Sequence, residues 1–349
     1  MSIYRDSKRI VGTNTQRIGA DAISGGWKEV GRTTLGSASS TITVSSLPDK
    51  RYYKVLTSIT GQASNSDIGM RLNGDTGLNY ARRFSTNGGS DISGTVTSLP
   101  YHYTDVARTT PIFAVAYLAN KSDKEKLSMS HGIRETGTVS GAPSRFESVG
   151  KWANTSSAIN EIQVLSSTNM NSGSECVVLG YDPDDTHTDN FWEQLVSDEA
   201  SGSVASLESG TISAKKYLWI QCYISGTSAS TFCETVFNND TGSNYGSRGN
   251  QNGGTDFTRT SQSDLNMFES YSNTTGAFLN AFIINNSSNA KLGISHSVRE
   301  GTSGAGNAPQ RDEVVFKWAN TSSQITDISF TPQSGTINSG SFMKVWGSN

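Results

Sequence analysis

The chain has 349 residues, with 28 basic against 31 acidic side chains and a formal net charge of −3, so it lacks the basic surplus of a nucleic-acid groove. Only 34% is hydrophobic, Gly, Ser, Thr and Asn abound, and long Ala/Leu/Glu/Lys stretches at helical spacing are missing, which argues against a helical protein. No apolar run reaches membrane-spanning length, and Met1-Ser2-Ile3-Tyr4-Arg5-Asp6-Ser7-Lys8-Arg9 has no signal-peptide core, so synthesis in the cytoplasm with no membrane partner is expected.

Residues 1–24 are polar and carry Arg5, Lys8, Arg9 and Arg17. They hold too little apolar surface to fold alone. Two readings stay open: a frayed terminus, or a short extended arm that orders against a neighbouring subunit or an underlying lattice, with those four cations as anchors.

Strands are expected next near Trp27–Val30, Thr41–Val44, Tyr52–Ile59, Ile68–Leu72, Ile112–Leu118, Lys126–Ile133, Arg145–Trp152, Ile159–Val164 and Cys176–Tyr181. Turns rich in Gly, Asn and Ser separate them. Ile112–Leu118 is apolar almost throughout, as a central strand covered on both faces should be. A short acidic linker, Asp182-Pro183-Asp184-Asp185-Thr186-His187-Thr188-Asp189, follows. Further strands are expected at Lys216–Ile224, Thr231–Phe237, Ala277–Ile284, Lys291–Val298, Asp312–Trp318, Ile325–Phe330 and Phe342–Trp346.

The second set repeats the first. Lys151-Trp152-Ala153-Asn154-Thr155-Ser156-Ser157-Ala158-Ile159 matches Lys317-Trp318-Ala319-Asn320-Thr321-Ser322-Ser323-Gln324-Ile325 at eight of nine positions. Leu127-Ser128-Met129-Ser130-His131-Gly132-Ile133-Arg134-Glu135 answers to Leu292-Gly293-Ile294-Ser295-His296-Ser297-Val298-Arg299-Glu300, and Trp27 to Trp192. The offset drifts only from 165 to 167, which describes a whole-domain tandem repeat, not a solenoid. The expected fold is all-β: two tandem duplicated jelly-roll-like β-sandwich domains, 25–182 and 191–349, joined by a linker at 183–190 and preceded by the arm.

The repeated polar residues are the candidates for chemistry. His131 and His296 each sit in an apolar stripe, with Leu127, Met129 and Ile133 or with Leu292, Ile294 and Val298 on the same strand face. A hydrogen-bonded core histidine is expected over a catalytic or metal role. Arg134 and Arg299 point the other way, towards a carboxylate partner. Trp152 and Trp318 read as core packing or as sugar-stacking platforms. Asn154-Thr155-Ser156 and Asn320-Thr321-Ser322 fit the glycosylation pattern but read as turns.

The loops Asp75 to Tyr80 and Asp240 to Tyr245 are the leading ligand or contact elements, through Asp75, Asn79, Tyr80, Asp240, Asn244 and Tyr245. Three readings stay open there: a plain turn, a Ca²⁺ site with too few carboxylates, or a glycan contact. Cys222 and Cys233 flank an expected hairpin and either face each other as a disulfide or remain thiols. No nucleophile elbow, His-Glu-x-x-His, phosphate loop or Cys-x-x-Cys occurs, so no catalytic residue, metal or cofactor is expected.

Arg5-Asp6-Ser7-Lys8-Arg9-Ile10-Val11-Gly12-Thr13, followed by a Trp-led sandwich with Leu72-Asn73-Gly74-Asp75-Thr76-Gly77-Leu78-Asn79-Tyr80, resembles virion structural proteins of tailed phages and related prokaryotic viruses. The second copy departs from this pattern at Asn239, where the first has Gly74. The resemblance implies a particle-surface role as capsid decoration or as a tail or fibre part. The implied partners are a major capsid protein or other virion proteins, further copies of the chain in a homotrimer, and, for a tail or fibre, a host surface glycan. A non-enzymatic decoration or cement protein is the first expectation, a receptor- or glycan-binding tail protein the second, and a polysaccharide-degrading enzyme the third, since the last needs two paired carboxylates in one cleft.

Overall fold

The computed structural model describes residues 3–5, 8–11, 26–102, 109–137, 141–182, 190–268, 275–302 and 304–349. All regular secondary structure among them is β-strand. The first two strands, β1 (Ile3–Arg5) and β2 (Lys8–Val11), pair antiparallel with each other, so the expected arm starts as a paired ribbon and not as a single extended strand. Arg5 lies in β1, Lys8 and Arg9 lie in β2, and Arg17 lies outside the described residues, as does 183–189 of the linker.

The first half continues with β3 (Lys28–Thr34), β4 (Ser39–Val44), β5 (Tyr52–Ile59), β6 (Ile68–Leu72), β7 (Tyr80–Thr86), β8 (Ile92–Val96) and β9 (Leu99–His102), then β10 (Ile112–Ala119), β11 (Lys126–Arg134), β12 (Ser144–Trp152), β13 (Ile162–Met170) and β14 (Glu175–Tyr181). The second half holds β15 (Glu193–Glu199), β16 (Leu207–Glu208), β17 (Tyr217–Ile224), β18 (Cys233–Phe237), β19 (Tyr245–Gln251) and β20 (Phe257–Gln262), then β21 (Ala277–Ile284), β22 (Lys291–Arg299), β23 (Gln310–Trp318), β24 (Ile328–Pro332) and β25 (Phe342–Ser348).

Each half contributes one eight-stranded antiparallel sheet. Their orders are β3-β14-β5-β10-β11-β12-β7-β8 and β15-β25-β17-β21-β22-β23-β19-β20, which correspond strand for strand. A smaller sheet faces each: β4-β13-β6-β9 in the first half and β16-β24-β18 in the second, where Leu265 adds only an isolated bridge to Thr235.

Three cores result. Ile42, Met70, Val55, Ala114, Trp152 and Val164 fill the space between the first pair of sheets, and Leu207, Ile220, Leu279, Trp318 and Phe330 fill that between the second. The third core lies between the halves, where Leu56, Phe113, Val115, Ile133 and Val177 meet Tyr217, Phe282, Ile284, Leu292, Ile294 and Val315. This third core is why β10 is apolar throughout: Ile112, Ala114, Ala116 and Leu118 face the smaller sheet, while Phe113 and Val115 face the other half.

Sequence patterning missed β7, β8, β9, β15, β16, β19 and β20, and the pairing of β1 with β2 in the arm. β19 reads Tyr-Gly-Ser-Arg-Gly-Asn-Gln and β8 reads Ile-Ser-Gly-Thr-Val, with little apolar alternation to see. β7 and β19 join because β12 and β23 present backbone edges that they pair with, and β8 and β20 then pair with β7 and β19.

Candidate functional site

The repeated loops were the leading candidates, and in both halves the geometry turns them inward. Asp75 is held by three donors: the Gly77 amide (2.9 Å), the Asn79 side-chain amide (2.9 Å to Oδ2) and the Trp152 indole Nε1 (2.7 Å). Asp240 is held in the same way by Gly242, Asn244 and Trp318 (2.9, 2.9 and 2.7 Å). The Trp152 indole bond, against a smaller opposing cost of burial, keeps the Asp75 carboxyl below its ordinary range. Burial works to raise Asp240, but the Trp318, Gly242 and Asn244 donors together outweigh it.

Tyr80 and Tyr245 correct the glycan-contact reading. They are 1% and 0% exposed, stack on Trp152 and Trp318 respectively, and hydrogen-bond to backbone at Leu72 and Phe237. Rings packed this way have no face to offer a sugar. Burial pushes the Tyr80 phenol up to about 12.

The tryptophans are core residues, as expected, with an indole–aspartate bond that patterning did not foresee. Beneath each lies a buried lysine: Lys126 donates to the carbonyls of Ser122, Lys124 and Asn154, and Lys291 to those of Asn289 and Asn320. Asn154 and Asn320 accept from the amides two and three residues on, confirming turns. Asn239, where the second copy departs from Gly74, adopts φ 56° against 66° for the glycine, so the loop path is kept. Asparagine tolerates this left-handed region at small cost.

Two residues passed over in the sequence fix the loop. Asn73 and Asn238 sit at φ 50° and 51°, and each side-chain oxygen accepts two backbone amides, from Asn160 and Glu161 or from Thr326 and Asp327. The visible signal was the shared Asn at the head of each Asp-Thr-Gly block.

The arginines of the Leu-to-Glu block differ between halves. Arg134 is fully buried and donates to Gln62, Asn65 and the Ser66 carbonyl, neutral acceptors that the strand pattern did not foresee. Arg299 lies 3.5 Å from Asp312, as expected. The three cysteines are buried thiols; Cys222 and Cys233 lie on the two facing sheets of the second half and not on one hairpin. Burial pushes Cys233 up to about 12, which removes its reactivity as a thiolate.

His131 and His296 occupy a place the strand pattern could not show. Their stripe faces away from each sandwich core and towards the other half, and the two rings meet 4.4 Å apart. Arg145, Glu147 and Glu313 surround the pair. Arg145 ties the halves together, bonding Glu147 and Asp256 and lying 3.4 Å from Glu313. Burial first, then the facing His296 and Arg145, pull His131 down to about 3, so both rings are neutral at neutral pH. The pair lies half-buried in a narrow seam, beside a gap of only about 10 Å³.

Lys54 is the other group caught in the seam. Its ammonium lies 4.8 and 5.1 Å from the ring centroids of Trp27 and Tyr117 in its own half, and 5.5 and 4.7 Å from Trp219 and Phe282 in the other. The ring faces favour the cation, but desolvation prevails and lowers Lys54 to about 7.

One surface that stays open is apolar. Beyond the seam, the outer face of the first large sheet carries Tyr52, Leu127, Met129 and Val149, exposed by 39%, 56%, 55% and 53%. With Trp27, Tyr117 and Tyr181 they line an open depression of about 1010 Å³. Patches of this kind mark interaction surfaces on soluble proteins. Among the described residues no group of three or more His, Cys, Asp or Glu is placed to hold a metal ion.

No protein-family model and no curated protein matches the chain. Among solved structures it is similar to Ail, the attachment invasion locus protein of Yersinia pestis, at 7% identity and a TM-score of 0.14, over 77% of this chain and 98% of that one. It is similar to the infectious bursal disease virus VP2 subviral particle at 11% identity and a TM-score of 0.13, over 94% and 82%. Neisserial surface protein A stands at 7% identity and 0.12, over 80% and 96%. Likenesses of this size carry no argument about fold or function.

Proposed function

We propose that the protein is a non-enzymatic structural component of a virion surface, a capsid decoration or cement protein built from two tandem jelly-roll-type sandwiches, 25–182 and 191–349. The observation that carries this reading is the fate of the repeated polar residues. Asp75, Asn79 and Tyr80, like Asp240, Asn244 and Tyr245, bond to their own loop, backbone and tryptophan, so what the two copies share maintains shape. The common strand order of the two large sheets supports an ancestral duplication. The widest open depression described is an apolar contact face whose lining holds no carboxylate.

In this reading the protein is made in the host cytoplasm and carried on the virion, bound to a major capsid protein or other virion proteins. The segment 1–24, with Arg5, Lys8, Arg9 and Arg17, is the anchor. Weak contacts made in tandem gain from effective concentration on a lattice. A homotrimer follows if the site is a threefold axis.

The test is occupancy. Full-length chain and a chain lacking residues 1–24 are added to particles stripped of the protein, and bound copies are counted. Loss of binding on truncation is expected; undiminished binding removes the arm as anchor, and density found away from the capsid refutes decoration.

A further inference from the structure

We propose that copies of this chain join head to tail, the open edge of one molecule's second half docking on the open apolar face of the next molecule's first half. The seam between the halves is the template. It is heterologous: the end of the first sheet that carries Phe113, Ile133 and Arg145 meets the part of the second that carries Tyr217, Leu292, Ile294 and Val315. Each side of that contact has a counterpart in the other half, and both counterparts are open.

The counterpart of the second sheet's covered face is Tyr52, Leu127, Met129 and Val149. These are 39–56% exposed, where Tyr217, Leu292, Ile294 and Val315 are 0–4% exposed. Strand registers make the equivalence strict: Met129 sits between Tyr117 and Val149 as Ile294 sits between Phe282 and Val315. The counterpart of the first sheet's docking edge is equally plain. Ala142-Pro143-Ser144-Arg145-Phe146-Glu147 recurs as Ala308-Pro309-Gln310-Arg311-Asp312-Glu313, and Ile133 answers to Val298. Ile133, Pro143 and Arg145 are buried; Val298, Pro309 and Arg311 are exposed and line an open depression of about 470 Å³.

Three polar contacts of the seam have their residues repeated on these open surfaces. Arg145 bonds Glu147 of its own strand and Asp256 of the other half. Arg311 likewise bonds Glu313 of its own strand, at 2.9 Å. The residue that answers to Asp256 is Asp91, which follows Asn87-Gly88-Gly89 as Asp256 follows Asn252-Gly253-Gly254, and its side chain is 51% exposed. Second, Arg248 donates to the Pro143 carbonyl at 2.9 Å. Its counterpart Arg83 pairs with Val149 as Arg248 pairs with Val315, and Pro309 repeats the proline. Third, Lys317 lies 3.9 Å from Glu135, and Lys151 and Glu300 repeat that pair, both exposed. The edge thus offers Arg311, Glu300 and the Pro309 carbonyl to a face that carries Asp91, Lys151 and Arg83. This complementarity selects a second copy as the occupant. Arg83 and Asp91 now make only an exposed pair at 3.4 Å, which docking exchanges at small cost.

The contact between molecules is weaker than the seam. Where the first sheet has Leu56, Val115 and Val177 the second has Gln221, Asn280 and Lys344, and His131 and His296 are already paired within the chain. Only the rows outside the histidines are available, so association is reversible. A heterologous contact closes into a ring or continues as a filament, according to its rotation.

The test uses the full chain. Sedimentation velocity from about 1 to 100 μM is expected to show association that grows with concentration. Met129→Glu, on the face, and Val298→Glu, on the edge, are each expected to weaken it at least ~100-fold, because a charge is buried unpaired in an apolar contact. Both positions are exposed, by 55% and 42%, so the monomer stays folded, as an unchanged circular dichroism spectrum checks. The two variants mixed in equal amounts are expected to form a one-to-one complex and nothing larger, since one keeps an intact edge and the other an intact face. Arg311→Glu and Asp91→Arg each weaken association about 10-fold, and the two together in one chain restore it. A monomer at every concentration overturns the proposal, as does association that either glutamate leaves unchanged. A mixture that stays monomeric also overturns it, since a face that pairs with itself cannot be rescued by mixing.

Discussion

The outer faces of the two large sheets have the same strand order, yet opposite ends of them are buried, and where the first has Leu56, Val115 and Val177 the second has Gln221, Asn280 and Lys344. On the first sheet Phe113, Ile133 and Arg145 are covered, while Leu127, Met129 and Val149 are open; on the second Leu292, Ile294 and Val315 are covered, while Val298 and Arg311 are open. Inside the sandwiches the two Asp-Thr-Gly loops agree bond for bond, down to the indole–aspartate contact at 2.7 Å. The difference teaches that the inner faces fix the fold, and that the outer faces decide how the units meet. One half's interface is the other half's free surface.

The agreement is tested by the largest expected effects. Trp152→Ala and Trp318→Ala each remove a ring that is 1% exposed and leave an aspartate without its donor, so each should cost roughly 3–5 kcal/mol in urea unfolding. Equal losses sustain the equivalence of the two interiors; a difference beyond about 1 kcal/mol breaks it. The disagreement is tested on the outer faces. Leu292→Ala should cost roughly 2–4 kcal/mol and Leu127→Ala about 0.5 kcal/mol or less, since the first is buried and the second exposed. Arg145→Met, which strands the buried Asp256 carboxylate, should likewise exceed Arg311→Met by roughly 2 kcal/mol or more. Similar losses for the two leucines would dissolve the asymmetry.

The same contrast explains what the sequence could reveal. The offset of 165 to 167 and the repeated Trp and His blocks can be read from the residues themselves, and the all-β class they led to is the one observed. The apolar run of β10 led to a strand covered on both sides, but not to what covers its second face, because that partner is more than a hundred residues away in Phe282 and Leu292. The histidines show the same limit: alternation placed them correctly on an apolar stripe, yet whether that stripe faces a sandwich core or another unit depends on packing that no window of residues contains. The contact loop stays ambiguous in the sequence for a different reason. Asp-Thr-Gly-x-Asn-Tyr looks alike whether its tyrosine points out or in, and only the tryptophan 72 or 73 residues later, brought alongside by β12 or β23, settles it.

The histidine pair makes the seam sensitive to acid. Unfolded histidine binds a proton near pH 6.5, whereas folded His131 does so only at about 3. Between those values the unfolded chain holds more protons, so stability falls as the pH falls, by up to roughly 2–4 kcal/mol at pH 3. Replacing both histidines by Gln should flatten this part of the profile in urea titrations at pH 4 and 7. An unchanged acid slope would show that carboxylates alone govern it.

Lys54 gives the smallest effect and the one most specific to the difference between the faces. Its counterpart in the second half is Trp219, so the seam holds a lysine at one equivalent position and an indole at the other. Desolvation lowers the folded value to about 7 from 10.5, so above pH 7 the folded chain has largely released a proton that the unfolded chain keeps until about 10.5. The unfolded state binds more protons across that window, and stability must rise with pH through it. Lys54→Met keeps the side chain's length, removes the penalty and should stabilise the protein by roughly 1–3 kcal/mol at pH 7, the gain shrinking towards pH 10. If instead the variant is destabilised at pH 7 and the wild type shows no rise in alkali, the four ring faces hold the cation more strongly than burial opposes it. The seam would then be closed by cation–π contact between the halves and not by apolar packing alone.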